Sequence, residues 1–370
     1  MFTSVPRRAN TIGSMNASND NGFSLRLVAA LMMGVALVAA CGGSGDSPSS
    51  SPAPAPAPAP PPGSGTAPSP APAPSASATA FDAIDTTSRA QVVARYWDGF
   101  VPLRNTAFSW TGNVAGCVAG DTTLDYKNAV TRLVNYYRAM AGVPSDVGLS
   151  LAKSAKAQQA ALMFDANDAL SHTPPSSWTC YTAAGAEAAG NSNIAWASPT
   201  LNGSSIGAVP MYVIDGGVSS LGHRRWVLYA KLGELGTGDA PQGNALWVLG
   251  GDRSAAVSVP NGVAWPPRGF VPWDSSIAEP SIRWSFSYPA ADFSAATVSM
   301  NDDAGAAVPV SAVESLPNGY ADNTVAWSIG GSGTAWSRYP GDTQLSVTVS
   351  NVKVGGSAKT FSYDVIFVKP

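Results

Sequence analysis

The stretch Val213-Ile214-Asp215-Gly216-Gly217-Val218-Ser219-Ser220-Leu221-Gly222-His223-Arg224-Arg225-Trp226-Val227-Leu228-Tyr229 decides how the rest of the chain is read. It contains His223, one of two histidines in 370 residues. The other is His172, in Leu170-Ser171-His172-Thr173-Pro174-Pro175. Glycine, serine and proline flank both, which predicts that each lies where the chain turns. Imidazole ligates metals and moves protons near neutral pH. Two histidines in similar settings suggest a shared site; a surface or capping role for each is the plainer alternative.

A carboxylate would complete such a site. Glu187 and Asp215 are the candidates nearest in sequence. Asp215 also reads as the turn residue that ends a helix. His172, His223 and Glu187 make a candidate zinc set with an open coordination position. No His-Glu-x-x-His spacing is present, so spacing alone does not specify a metal. A serine hydrolase is the rival, because Ser219 and Ser220 precede His223 and many other serines exist. No phosphate-binding glycine loop occurs either.

Helices are expected on the N-terminal side of this stretch. Ser204 or Ser205 can cap a short helix through Ile206, Val209, Met211 and Val213, despite Pro210. Val130, Leu133, Val134, Tyr137 and Met140 recur at three- and four-residue spacing, with Asp125 as the expected cap and Gly142 and Pro144 as the stop. A second helix runs from Ser150 to about Ala166, and 90–100 is helical in pattern. On the C-terminal side, 235–238 and 245–249 read as two strands. Residues 81–255 therefore have an α+β pattern.

The character changes after Val263-Ala264-Trp265-Pro266-Pro267. Period-two runs at 282–286, 297–300, 324–327, 345–349 and 361–367 are broken by Asp, Gly, Asn and Pro. That predicts an antiparallel β-sandwich of immunoglobulin-like or fibronectin-like type.

The N-terminal end reads as an address. Arg7, Arg8 and Arg26 supply charge, and 27–40 is uninterrupted apolar chain, the length of a signal-peptide core. It ends at Val38-Ala39-Ala40-Cys41, like the acylation site of bacterial lipoproteins; an ordinary cleaved signal is the alternative. Pro, Ala, Ser and Gly then dominate to residue 79 and cannot bury a core, so this segment is expected to be a stiff tether. Three cysteines occur in all. With a lipid on Cys41, Cys117 and Cys180 remain to pair in an oxidising compartment; two buried free thiols are the alternative. Net charge is −3 and no basic stripe exists, which excludes nucleic acid as a partner.

Several motifs in order resemble one family. They are Leu133-Val134-Asn135-Tyr136-Tyr137-Arg138, the helix at 155–163, Ser171-His172, Ser192-Asn193-Ile194-Ala195, Gly222-His223-Arg224-Arg225 and Gly236-Thr237-Gly238. Their order resembles the CAP superfamily (cysteine-rich secretory, antigen 5 and pathogenesis-related 1; SCP-like), in its bacterial lipoprotein branch. The resemblance implies an α-β-α sandwich with a cleft lined by two histidines and two acidic residues, His172 and His223 facing each other. The family's Gly-Glu-Asn reads Asn191-Ser192-Asn193 here, so Ser192 stands where an acid is usual. Glu187 is the upstream substitute and Asp215 the candidate second acid.

The expected organisation is a signal peptide at 1–40, a tether at 41–79, a CAP-like domain at 80–257 and an immunoglobulin-like β-sandwich at 258–370. The expected protein is exported and held at the cell envelope, on an outer membrane or cell surface, by a lipid on Cys41. It is expected to act by binding a metal ion such as zinc, a sterol, lipid or other small apolar ligand, or a partner peptide, in the cleft of His172, Glu187, Ser192, Asp215 and His223. A metal-assisted hydrolase of cell-wall or host peptides is one alternative. An envelope scaffold or adhesin with a vestigial cleft is the other. The resemblance supplies no common enzymatic activity.

Overall fold

The computed structural model describes residues 76–196, 205–278, 280–330 and 342–370. The expected signal peptide, Cys41 and the tether up to residue 75 lie outside the described residues. Among the described residues no helix is long and apolar enough to cross a membrane.

The N-terminal half begins with short helices: α1 (Ala76–Thr79), α2 (Arg89–Arg95), a π-helical turn at Tyr96–Phe100, and α3 (Val101–Arg104). The long helix α4 follows at Leu124–Met140. Its cap is Thr123, whose hydroxyl accepts from the Tyr126 N–H at 3.2 Å. Asp125, the expected cap, lies in the first turn instead, where a carboxylate suits the positive end of the helix. Thr123→Ala is expected to remove about 1 kcal/mol of stability, measured as a lower urea midpoint with an unchanged m-value.

Strand β1 (Gly148–Leu149) leads into α5 (Leu151–Asn167), which Ser150 caps. Then come α6 (Ala183–Asn191), β2 (Ser192–Trp196), α7 (Ser205–Ile214), α8 (Gly222–Val227), β3 (Glu234–Asp239) and β4 (Gly243–Trp247). The strands form one sheet in the order β1-β3-β4-β2. Side chains alternate across a strand, and the burial follows that rule. Ile194, Ala245 and Trp247 pack with Ala157, Met163, Phe164, Ala188 and Ala189 of α5 and α6. Their neighbours Ala195, Leu246 and Val248 join Leu133, Tyr137, Val209 and Val213 of α4 and α7 in the main core. Helices therefore cover both faces, giving three layers, α-β-α. Gly238 lets α5 approach closely: a Cβ there would stand 2.1 Å from main-chain atoms of Ala157 and Gln158.

The C-terminal half is β-rich. It contains β5 (Val263–Trp265), β6 (Gly269–Pro272), β7 (Trp284–Tyr288), β8 (Thr297–Asp302), β9 (Ala307–Val308), β10 (Val310–Ser315), β11 (Asn323–Ile329), β12 (Thr343–Val354) and β13 (Ser357–Val368). These build two sheets, β10-β11-β7-β5 and β6-β13-β12-β8-β9. Pairing is antiparallel except between β6 and β13. Aromatic rings join the sheets, Trp284 to Phe367 at 6.1 Å and Phe286 to Phe361 at 4.9 Å between centroids. The β12–β13 hairpin turns on Gly355 and Gly356, both at positive φ, as a tight two-residue turn requires.

The described residues fall within one compact unit, Ser69–Pro370, so the two halves share a core. The Tyr137 hydroxyl donates to the Ser276 carbonyl at 2.5 Å, and its ring meets that of Trp265. The Tyr96 hydroxyl donates to the Asp274 carboxylate at 2.8 Å. At the N-terminal edge, the Asn135 amide donates to the Thr79 carbonyl at 2.9 Å and the Val147 carbonyl at 3.0 Å, while its oxygen accepts from the Val147 N–H.

Candidate functional site

The stretch between α7 and α8 folds around Asp215. That residue follows the last turn of α7 and donates its N–H to the Met211 carbonyl at 2.8 Å. Its φ is +52°, in the left-handed region that aspartate tolerates better than most residues. This geometry swings the side chain back toward α8. Asp215 Oδ1 accepts from His223 Nδ1 at 2.8 Å, and Oδ2 accepts from the Arg224 N–H at 3.1 Å. Asp215 is thus a helix-ending turn residue whose carboxylate also reaches His223. His223, expected in a turn, lies instead in the first turn of α8. Gly222 opens that helix and leaves room for the Tyr320 ring, 2.8 Å from where a Cβ would stand.

The Asp215 side chain is wholly buried, whereas His223 retains 23% of its side-chain surface. The buried end of the pair is therefore the carboxylate, and the imidazole faces outward. Two further groups hold His223 in place, one at its ring and one at its main chain. Tyr212 packs its ring against that of His223 at 5.2 Å between centroids. Asn193 donates its amide to the His223 carbonyl at 3.0 Å. The Tyr212 hydroxyl lies 3.1 Å from the Asn193 carbonyl and also meets the Asn244 amide oxygen, while Asn244 donates to Asp239 at 3.1 Å. Burial, with Asp239 and Asp215 nearby, raises the Tyr212 hydroxyl well above its ordinary range, so it remains a donor. Tyr212 carried no distinguishing signal in the sequence: it lies in an apolar run and reads as core.

Arg224 and Arg225 face the other way. The Arg224 guanidinium is buried and donates to the carbonyls of Val213 at 2.6 Å, Ile214 at 2.7 Å and Arg283 at 2.7 Å, and to the Ser285 hydroxyl at 3.1 Å. Burial lowers it to about 10, so it stays ionised at neutral pH and balances Asp215. Arg225 donates to the carbonyls of Pro317 at 2.9 Å and Asp322 at 3.0 Å. The helical turn that carries His223 is thus fastened to β7 and to the loop before β11. Arg138 of α4 fixes the exit: its guanidinium is fully buried and meets the carbonyls of Val227 and Tyr229, both at 2.8 Å.

His172 lies outside helix and strand, on an exposed loop. Its Nδ1 stands 2.9 Å from the Ala189 carbonyl near the end of α6. A carbonyl only accepts, so this Nδ1 carries the proton. His223 Nδ1 likewise donates, to a carboxylate. In its neutral form each ring therefore keeps its Nε2 lone pair for something else. The two residues attach to the same short segment, one at Ala189 and the other through Asn193. Glu187 does not join them: its carboxylate pairs with Lys156 at 2.7 Å, and Lys156 also lies over the Trp247 ring. Ser192 is buried, and its hydroxyl has no partner among the described residues. Cys117 and Cys180 form a disulfide, with 5.1 Å between Cα atoms, eight residues beyond His172.

The donor chemistry can be tested against a metal ion. Glu187 is held by a lysine, and Asp215 spends both oxygens on His223 and a peptide N–H. Among the described residues no three His, Cys, Asp or Glu side chains are grouped to hold a metal. A centre closed by three protein ligands does not fit these residues. What they offer is two imidazole Nε2 atoms, each oriented through its Nδ1 in the way metal-binding histidines commonly are.

Residues 131–249 match the family model described as CAP, the Cysteine-rich secretory protein family. The match covers less than half of the chain, from within α4 to just past β4, and it includes His172, Asp215 and His223. Over this segment the chain resembles a CAP domain, and the β-rich half lies beyond the match. No curated protein matches the sequence.

Proposed function

We propose that this is an exported, lipid-anchored binding protein whose CAP domain takes its ligand at the outward Nε2 atoms of His172 and His223. The observation that carries the reading is the pinning of both Nδ1 atoms, by the Ala189 carbonyl and the Asp215 carboxylate. Each ring then presents a lone pair of fixed direction. That favours a ligand with a hydrogen-bond donor, on a small apolar molecule or a peptide, or a divalent cation. His172 and His223 would hold such a cation, with water or the ligand filling its remaining positions; zinc chemistry suits imidazole. The β-rich half, read as an immunoglobulin-like sandwich, carries and orients this domain, and the proline-rich segment sets its distance from the membrane.

Zinc titration of the full chain tests the ionic form of the proposal. Wild type is expected to bind, and His172→Ala/His223→Ala to lose at least tenfold in affinity. Equal affinities would sink it. Asp215→Asn probes the orienting role separately. Losing the carboxylate removes the fixed tautomer of His223, and outer-shell changes of this kind cost roughly 10–100-fold in affinity. Nitrogen NMR of His223 should show Nδ1 protonated in wild type and a mixture in the variant.

A second reading draws on the same pair. An aspartate that orients a histidine is the arrangement of a general base. In a hydrolase of cell-wall or host peptides, His223 Nε2 would take the proton of an attacking water, and Asp215 would stabilise the resulting imidazolium. Zymography against peptidoglycan and casein, with Asp215→Asn as control, separates catalysis from binding. Clearing by wild type and not by the variant favours the enzyme.

A further inference from the structure

A groove of 330 Å³ runs along the seam between the CAP domain and the β-rich half, on the side of α8 that leads into Tyr229. It is lined by Trp226, Tyr229, Leu249 and Asp252 from the first and by Gly319 and Ala321 from the second. Trp226 and Tyr229 stand at right angles, 5.8 Å between centroids, and make an aromatic corner. The Tyr229 hydroxyl faces the exposed Asp252 carboxylate at 3.5 Å. Two carboxylates act on that hydroxyl: burial first, then the charges of Asp252 and Asp322, raise it above its ordinary range. Asp322 is itself offset by Lys231 and Arg225. Arg225 is occupied by main-chain carbonyls and lies over the Tyr320 ring at 5.4 Å. Asp252 has no such compensation: no lysine or arginine lies within salt-bridge distance of it among the described residues.

We propose that this groove binds an organic cation, a quaternary or alkylated ammonium group seated against the Trp226 and Tyr229 rings with Asp252 as its counter-ion. Aromatic faces attract such cations through the ring quadrupole, and weak hydration lets the cation leave water at little cost. Leu249 supplies an apolar wall for its methyl groups. Seams between domains are common places for small-molecule sites. The site is separate from His172 and His223, so it stands or falls independently of the function proposed above.

Calorimetric titration of the full chain with choline chloride tests it, against sodium chloride at equal ionic strength. Its uncharged isostere 3,3-dimethyl-1-butanol is the second ligand. Saturable choline binding is expected, at least tenfold weaker in Trp226→Leu and in Asp252→Asn, with no saturable binding of the isostere. Asp252 is exposed, so its replacement leaves the fold intact even where the tryptophan variant is less stable. Absence of saturable choline binding overturns the proposal. So does equal binding of the uncharged isostere, or an unchanged affinity in either variant.

Discussion

Arg224→Met should cost about 3–5 kcal/mol of stability, the range for removing one member of a buried charged network. Methionine fills similar volume but donates nothing. The carbonyls of Val213, Ile214 and Arg283 would be left in a buried setting without the guanidinium. Asp215 would also lose the positive charge that balances its wholly buried side chain. The loss should appear in urea denaturation as a lower midpoint. A second readout follows in molecules that remain folded. Arg224 holds the two carbonyls just before Asp215, so the His223 resonances should shift although no imidazole contact is removed. Arg95→Met is the surface comparison. Its ion pair with the exposed Asp82 should be worth under about 1 kcal/mol. If both variants were equally stable, Arg224 would not be the fastening described.

Replacing both half-cystines, Cys117→Ser/Cys180→Ser, should cost roughly 3–4 kcal/mol. The bridge spans 63 residues, and closing a loop of that size removes much of the entropy of the unfolded chain. Both half-cystines sit at positive φ, 52° and 59°, a conformation that costs part of the gain. The local consequence concerns His172. Its loop is also held by the Ala189 carbonyl and by Asn167, whose amide meets the Thr179 carbonyl and N–H, both at 2.9 Å, and by Trp178 and Tyr181, which pack on the α5–α6 core. Hydrogen exchange in 168–182 should therefore rise sharply on reduction, while α4 stays protected. Uniform exchange across the chain would contradict that division.

The layered half of the fold could be read because its signals are local. Ser150 and the apolar spacing of α4 and α5 are short-range features, and α4, α5, α7, β3 and β4 lie where the spacing placed them, within a few residues. The five strand patterns of the C-terminal half also fall on strands, since alternation is visible within one strand. The pairing order and the sharing of one core were not legible, because they depend on contacts such as Tyr137 with Ser276, far apart in sequence. The site followed the same rule. Asp215 and His223 are close enough in sequence for their meeting to be a reasonable expectation. Glu187 looked equally suitable, but Lys156, one turn into a neighbouring helix, claims it. The grip of Arg224 and Arg225 was not legible, because nothing within their own helix discloses a second half to be gripped.

The hold on Thr79 bears on how the molecule would carry load. Under the proposed N-terminal anchoring, load would enter the described residues at α1, which ends at Thr79. Asn135 grips there, taking the Thr79 carbonyl and the Val147 carbonyl with its amide. The Thr79 hydroxyl also donates to Val147 at 3.0 Å. A pull would thus be shared between α4 and the segment entering β1, and stretched across bonds loaded together. The loop of His172 and helix α8 make none of these contacts, so under the proposed anchoring a pull at Thr79 would not act directly on His172 or His223.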